Sequence, residues 1–481
     1  MRASKRVSPA PLPPPRPAPD EGAGSLPAGP LRVLAFGWEF APILSGGLGV
    51  ACAGLVRALV AEGTRVTFVL PKMPAPVEVD GVRLCDAREV ARRDAAGAGP
   101  GLAAGAAPTP VRLLETRPFA SPLGPYQDPA GYAQARGEAA TGPGRAAHAA
   151  ATVPPAPPPP GDASLYGGDL FAEVQRLSAA AARLAAEIPH DVIHCHDWMT
   201  FAAGIAAREV SGRPLVLHVH STEGDRSGGA GGNAAIRDLE GSGLRAADRV
   251  VAVSEFTRRR ILEQYDVDPD RVLVVHNGIE PPARGDAEVE LPALAGDRPV
   301  VLFLGRLTAQ KGPEWFLEAA ARVHAVRPEV LFVVAGSGEM LPWMVERAAG
   351  TGLASNVLFT GFLSGEDIER AYAMADVFVM PSVSEPFGLV PVEAMLRGTP
   401  AIVSRQSGVS EVIRHCLKVD FWDSEDLADK IVAVLDHPSL AASLSGAGRR
   451  EALRLGWQEP ARRLLAVFDG LVAGAGAEDG A

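Results

Sequence analysis

From Leu31 onward, short apolar runs alternate with segments of helical spacing. Leu31–Phe36 reads as a strand buried on both faces. After it come a glycine loop, Gly46-Gly47-Leu48-Gly49, and a helix from about Val50 to Glu62 that Gly63 stops. Arg65–Leu70 is the next strand. The unit is βαβ, which predicts a parallel, doubly wound sheet. A helix at roughly Asp169–Glu187 and strands at Val192–His194, Leu215–Val219, Val250–Val253 and Val272–Val275 extend it. A second βα series begins at Pro299, with strands Val300–Leu304, Val330–Val334, Asn356–Phe359, Asp376–Met380 and Ala401–Val403.

Two stretches break this rhythm. The first thirty residues are rich in Pro and Ala and lack the apolar core of a signal peptide, so they read as a disordered tail. Ala, Gly and Pro dominate from about Asp86 to Gly161, and the run Val153–Pro160 fits neither helix nor central strand. A flexible insertion over about 90–160 is expected, with strand character only at Val111–Leu114. Pro281–Gly296 reads as a linker. The expected organisation is a tail (1–30), an N-terminal Rossmann-like domain (31–282) carrying the insertion, a C-terminal Rossmann-like domain (297–472) and a short tail (473–481). Two such domains around a linker leave a cleft, and ligands of doubly wound sheets sit at the carboxyl ends of strands.

Composition narrows the function classes. A chain of 481 residues with 47% hydrophobic and 21% charged residues suits two or three globular domains. Its net charge of −11 argues against nucleic acid as a partner. No window approaches eighteen uninterrupted apolar residues, so no membrane span is expected. Cys52, Cys85, Cys195 and Cys416 have no paired spacing and read as reduced thiols of a cytoplasmic protein.

The chemistry concentrates in two motifs. Gly305-Arg306-Leu307-Thr308-Ala309-Gln310-Lys311-Gly312 ends an apolar strand with a glycine and two cations. Glu385-Pro386-Phe387-Gly388-Leu389-Val390-Pro391-Val392-Glu393 sets two carboxylates either side of a glycine turn that opens a helix. Arginine offers a planar fork to phosphate oxygens and lysine a point charge, so a strand end and a helix start bearing them suit a diphosphate. Carboxylates beside a diphosphate suit the hydroxyls of a ribose or hexose, and together they describe a nucleotide-sugar site. Glu393 alone has a plainer but weaker reading as a residue that complements a helix dipole. Two histidines, His218 and His220, fall on one face of a strand by the period of two.

With these residues in view, the chain resembles the retaining nucleotide-sugar glycosyltransferases of the GT-B fold, and within them bacterial glycogen and starch synthases. The resemblance spans roughly Leu31–Leu471 apart from the insertion. Besides the two motifs it rests on Gly46-Gly47-Leu48, His196-Asp197-Trp198 and Leu417-Lys418-Val419-Asp420-Phe421-Trp422. It implies an α/β fold of two doubly wound Rossmann-like domains facing across a cleft. It implies that Arg306 and Lys311 hold the distal phosphate of the donor, that Glu393 holds the ribose hydroxyls, and that Glu385 and His220 contact the donor sugar at the reacting centre. Gly388 and Leu389 would offer backbone N–H groups to the diphosphate, and the Gly46-Gly47 loop would close over it. Glu39 and Asp197 match residues on the sugar and acceptor side, whereas structural roles are expected for His194 and His218. The implied substrates are ADP-glucose or UDP-glucose and an α-glucan acceptor, with a cell-envelope glycan, a glycolipid or a small acceptor as the alternative, and with no cofactor and no metal. Two departures stand out: Leu44 occupies the place of a lysine in the glycine loop, and Ser407-Gly408-Val409 replaces a double glycine. The first leaves the donor base open.

Other readings fit less well. A nicotinamide-dependent dehydrogenase shares βαβ, but Gly46–Gly49 lacks GxGxxG spacing and the second strand ends at Pro71-Lys72, where an acidic ribose ligand is needed. The pairs His194/His196 and His218/His220 imitate a metal hydrolase without helical ligands to complete it. A glycoside hydrolase using Glu385 and Glu393 would leave the two cations without a role.

Overall fold

The computed structural model describes residues 29–41, 46–73, 81–89, 170–228, 232–281 and 298–478. In chain order the first half gives β1 (Arg32–Phe36), α1 (Gly47–Ala61), β2 (Arg65–Leu70), β3 (Val82–Asp86), α2 (Leu170–Glu187), β4 (Val192–His196), α3 (Trp198–Ser211), β5 (Leu215–Val219), α4 (Glu223–Arg226), α5 (Ala234–Ala246), β6 (Arg249–Ala252), α6 (Glu255–Gln264) and β7 (Val272–Val274). The second half gives β8 (Val300–Leu304), α7 (Pro313–Val326), β9 (Leu331–Ala335), α8 (Leu341–Gly350), β10 (Val357–Gly361), α9 (Glu366–Met374), β11 (Val377–Met380), α10 (Val390–Leu396), β12 (Ala401–Ser404), α11 (Val409–Val412), β13 (Leu417–Val419), α12 (Ser424–Asp436), α13 (Pro438–Ala452) and α14 (Gln458–Glu478). Residues 1–28 and 479–481 of the expected tails, Leu44, the 90–160 insertion with Val111–Leu114 and nearly all of the linker lie outside the described residues, and α14 continues through residues 473–478, where the short C-terminal tail was expected.

The strands form two sheets, ordered β3-β2-β1-β4-β5-β6-β7 and β10-β9-β8-β11-β12-β13. Every pairing in both is parallel. These are the two doubly wound sheets that the sequence predicts. In each, the winding direction reverses beside the first strand, between β1 and β4 and between β8 and β11. Such reversals open a crevice at the carboxyl ends of the strands. β1, β4, β5, β9 and β11 are buried along nearly their whole length, which explains their uninterrupted apolar runs.

The sequence reading misses two strands. β3, Val-Arg-Leu-Cys-Asp, is a half-exposed edge strand whose arginine interrupts the apolar run. β13 has only three residues and closes the opposite edge of the second sheet. α1 also begins earlier than expected, at Gly47, because Glu39 accepts a hydrogen bond from the Gly49 N–H at 3.3 Å and serves one of the open donors of the first turn. α14 leaves the second sheet and packs on the first domain. Phe468 meets His194 with ring centroids 5.4 Å apart, and Arg462 Nε donates to Glu62 at 2.9 Å. No helix among the described residues is long and apolar enough to cross a membrane.

Candidate functional site

The two motifs of the second domain fold into one site at its switch point. β8 delivers Gly305 and Arg306, and a single 3-10 turn (Ala309–Lys311) brings Lys311 back toward the end of β11. The chain segments are laced together: Gln310 O accepts from the Val383 N–H at 2.9 Å, and Gln310 Nε2 donates to Ser384 O at 3.0 Å. Across this seam Lys311 Nζ meets Glu385 Oε2 at 2.5 Å, and the same oxygen accepts from Ser382 Oγ at 3.2 Å. Both charged groups are largely buried, so the pair is shielded from solvent. Arg306 is half-buried on the same loop.

Gly388 and Leu389 lead directly into α10, and Glu393 lies in its first turn. Tyr372 on α9 donates its hydroxyl to Glu393 Oε2 at 2.8 Å. Burial holds the Glu393 carboxyl above its usual range, although the Tyr372 hydrogen bond opposes the shift. Burial and the neighbouring Glu393 charge in turn push the Tyr372 hydroxyl well up, so it stays a donor.

In the first domain four imidazoles stack at the ends of β4 and β5. His194 Nε2 lies 3.3 Å from His218 Nδ1, and His196 Nδ1 lies 2.9 Å from His220 Nε2. The His218 and His220 rings stack with centroids 4.6 Å apart. Burial pushes His220 down to about 3 and holds the other three well below the usual histidine range, so the cluster is neutral at physiological pH. His194 Nδ1, His196 Nε2 and His218 Nε2 have no hydrogen-bond partner among the described residues.

Two triads, His194–His196–His218 and Cys52–His196–His220, bring their donor atoms within 4.8 Å of one another. A tetrahedral zinc site with bonds of about 2.0–2.3 Å needs its donors closer than this outer limit. In both triads ring nitrogens are already paired with one another, and burial keeps the Cys52 thiol protonated.

Asp197 is buried between β4 and α3 with φ 59°, the one left-handed residue other than glycine among those described. Its Oδ1 accepts the backbone N–H of His220 at 2.7 Å and of Ser221 at 3.2 Å. Asp197 thus fixes the loop that carries His220. Glu39, also buried, sits with Gly46 and Gly47 at the start of α1.

The two domains meet at this point. Ser384 Oγ, one residue before Glu385, donates to Asp225 Oδ1 at 2.6 Å, five residues after His220. Sequence reasoning overlooks Tyr372, Ser382, Ser384 and Asp225. One signal was available: Thr222–Asp225 has capping-box spacing, and both hydrogen bonds of the box are present. The pairings of Tyr372 with Glu393 and of Ser384 with Asp225 join residues with no common motif.

Comparison with known proteins agrees with this fold. The family described as "Glycosyl transferases group 1" matches residues 287–451, "Glycosyltransferase Family 4" matches 133–282, and "Starch synthase catalytic domain" matches 32–135. An uncharacterized glycosyltransferase of Methanocaldococcus jannaschii is 36% identical over 239 residues, covering 47% of this chain and 60% of that protein. A D-inositol 3-phosphate glycosyltransferase of Thermobispora bispora is 34% identical, covering 58% of this chain and 70% of its own length. The alpha-maltose-1-phosphate synthase of Mycolicibacterium smegmatis is 33% identical, with 58% and 78% covered. Among solved structures, the sucrose-phosphate synthase of Thermosynechococcus elongatus superposes with a TM-score of 0.64 at 21% identity over 92% of this chain and all of that one. The starch synthase IV catalytic domain of Arabidopsis thaliana, bound to ADP and acarbose, gives 0.61 at 16% identity over 93% and 100%. These two share the fold. With two parallel Rossmann-like sheets, a relative matched over more than two thirds of its length and the cationic and carboxylate motifs joined in one place, the chain belongs to the group 1 glycosyltransferases of GT-B architecture.

Proposed function

We propose that the chain is a retaining hexosyltransferase that moves glucose from ADP-glucose or UDP-glucose to the non-reducing end of an α-1,4-glucan in the cytoplasm, without a cofactor or metal. The observation that carries this reading is the hydrogen bond from Ser384 to Asp225, which brings the loop of Lys311 and Glu385 against the strand end of His220. The starch synthase match over residues 32–135 supports a glucan acceptor.

In the proposed reaction the bond between the anomeric carbon and the diphosphate oxygen breaks as the acceptor hydroxyl oxygen bonds to the same face of that carbon. The acceptor proton passes to the departing phosphate oxygen. Arg306, Lys311 and the backbone N–H groups of Gly388 and Leu389 offset the charge gathering on the diphosphate. Glu393, aimed by Tyr372, takes the ribose hydroxyls, while Glu385 and His220 orient the hexose. Because His220 Nε2 is engaged by His196, the sugar meets the Nδ1 edge of a neutral ring.

A second reading has specific support. Relatives named as D-inositol 3-phosphate glycosyltransferases and as an alpha-maltose-1-phosphate synthase favour a small phosphorylated acceptor in place of the glucan. The deciding experiment offers ADP-, UDP- and GDP-sugars to glycogen, to inositol phosphate and to sugar phosphates, scoring nucleoside diphosphate release and the anomeric configuration of the product. Transfer to glycogen with retained α configuration and no effect of chelator is expected. Inversion, or activity that a chelator abolishes and a divalent ion restores, overturns the mechanism; transfer only to the phosphorylated acceptors selects the second reading.

A further inference from the structure

The loop carrying Glu385 is held from both domains, residue by residue in alternation. Glu385 itself turns back to Lys311 and Ser382 of its own domain. Its neighbours on either side are gripped by the other domain. Ser384 Oγ donates to Asp225 Oδ1 at 2.6 Å. Pro386 O accepts from Ser254 Oγ at 2.5 Å and from Thr257 Oγ1 at 3.2 Å. All four of these side chains are buried.

Asp225 is itself rigidly placed. It is fully buried, and its Oδ2 accepts both the backbone N–H and the hydroxyl of Thr222 at 2.8 Å. Arg260 Nε lies 2.8 Å from its Oδ1. Thr222 follows His220 by two residues, and Asp197 fixes the intervening backbone. A short chain of hydrogen bonds therefore runs from the loop of His220, through Thr222 and Asp225, to the residue beside Glu385.

The fit is close as well as polar. A Cβ on Gly408 would stand 2.2 Å from Pro386 O and 2.5 Å from Ser254 Cβ, so backbone, loop and first-domain serine are in contact only because this position is bare. Beside it Glu411 accepts the N–H groups of Glu255 and Phe256 at 2.9 and 2.6 Å, capping α6 from the opposite domain. Apolar packing alone would hold two domains together. Buried donors and acceptors aimed at single loop atoms hold them in one register.

We infer that Asp225, Ser254 and Thr257 form a seat on the first domain for the Ser384-Glu385-Pro386 loop, and that Asp225 and Ser384 are positioning residues that bring Glu385 and His220 onto the same sugar. The inference rests on the proposed roles of Glu385 and His220. It adds that the reactive arrangement exists only while the loop is seated, so donor binding and turnover respond differently to loss of the seat. The donor's phosphates and ribose are proposed to meet Arg306, Lys311 and Glu393, all on the second domain, and Lys311 and Glu393 keep hydrogen-bond partners within that domain.

Ser384→Ala, Ser384→Thr and Thr257→Val in the full chain test it, by amide hydrogen exchange of peptides spanning 382–389 and by steady-state kinetics. Ser384→Ala is expected to raise exchange in those peptides about tenfold and to lower kcat about 10–100-fold, with donor KM within about threefold of wild type. Ser384→Thr, which keeps the hydroxyl, is expected to restore both. Thr257→Val, which touches the loop from the other domain, reproduces the kcat-selective loss and carries the test if Ser384→Ala fails to fold. Exchange and kcat within twofold of wild type in Ser384→Ala and Thr257→Val would overturn the inference. So would a fall in donor affinity that parallels the fall in kcat, or failure of Ser384→Thr to rescue. Wild-type protein that transfers no sugar from any donor, with exchange still rising in Ser384→Ala, would refute the proposed function and leave the seat standing.

Discussion

Lys311 and Glu385 neutralise each other at 2.5 Å in a largely buried position, so a diphosphate arriving at Lys311 must displace or share that carboxylate. The exchange suits the proposed transfer, in which a lysine released toward phosphate would leave Glu385 free to accept sugar hydroxyls. Lys311→Ala and Arg306→Ala are each expected to lower turnover about 10²–10³-fold, the scale for losing one preorganised donor to a developing anion, with circular dichroism unchanged. A folded variant with near-normal turnover would remove that residue from the phosphate site. Tyr372→Phe acts one step away. It deletes the hydroxyl that orients Glu393, so donor KM should rise about threefold to tenfold with kcat nearly kept, since a ribose contact is made equally in ground and transition state. Asp197 supplies a pH signature. Burial raises its carboxyl from the ordinary aspartate value of 3.8 to about 6, against the opposing pull of Arg226 and the two backbone N–H groups. Between those values the folded protein binds more protons than the unfolded chain, so this group's contribution to stability falls as pH rises through 6. Asp197→Asn should therefore gain stability relative to wild type from pH 4 to pH 7, measured by urea unfolding at each pH; a flat difference would show that Asp197 does not titrate there.

At the scale of elements, most of the architecture was legible because buried parallel strands are continuous apolar runs and several helices, α1, α3 and α10 among them, stop at or just before a glycine. β1, β2, β5 and β8 fall where the sequence puts them, give or take a residue, whereas β3 and β13 escape because edge strands are short or interrupted by charge. The Gly305–Gly312 motif was legible for a different reason: its residues are adjacent in sequence and end a recognisable strand. What holds that motif in place was not, because it is made of backbone contacts between distant loops. Gly312 is the clearest instance. It sits at φ 66°, and a Cβ there would lie 2.1 Å from Pro381 O at the end of β11. Gly312→Ala should therefore cost about 1–3 kcal/mol from strain at this position. It should also raise donor KM, because the turn that ends at Gly312 aims Lys311. An unchanged melting temperature together with unchanged KM would show that the loop yields freely and does not set the lysine.

At the scale of the molecule the sequence announced two domains, but not how firmly the C-terminal helix binds them. The structure makes it part of the first domain's core. Ile279 N–H donates to Leu455 O at 2.7 Å, and Trp457 fills the space beside Gly54, where a Cβ would lie 2.2 Å from the indole nitrogen. Phe468, fully buried, edges against His194 at the base of the imidazole stack. The last helix thus reaches the first domain's histidine cluster, and the two sheets are tied at two separated places, along α14 and at the Glu385 loop. Phe468→Ala is expected to cost about 3–5 kcal/mol, the usual result of emptying a buried aromatic site, and to lower the midpoint of urea unfolding accordingly. The loss should not stay in the helix. Because Phe468 packs on His194, exchange should accelerate in β4 and β5 together with α14, while β8 and β9 keep their protection. Acceleration confined to α14 would mean that the helix is an appendage, and that the first domain's core is complete without it.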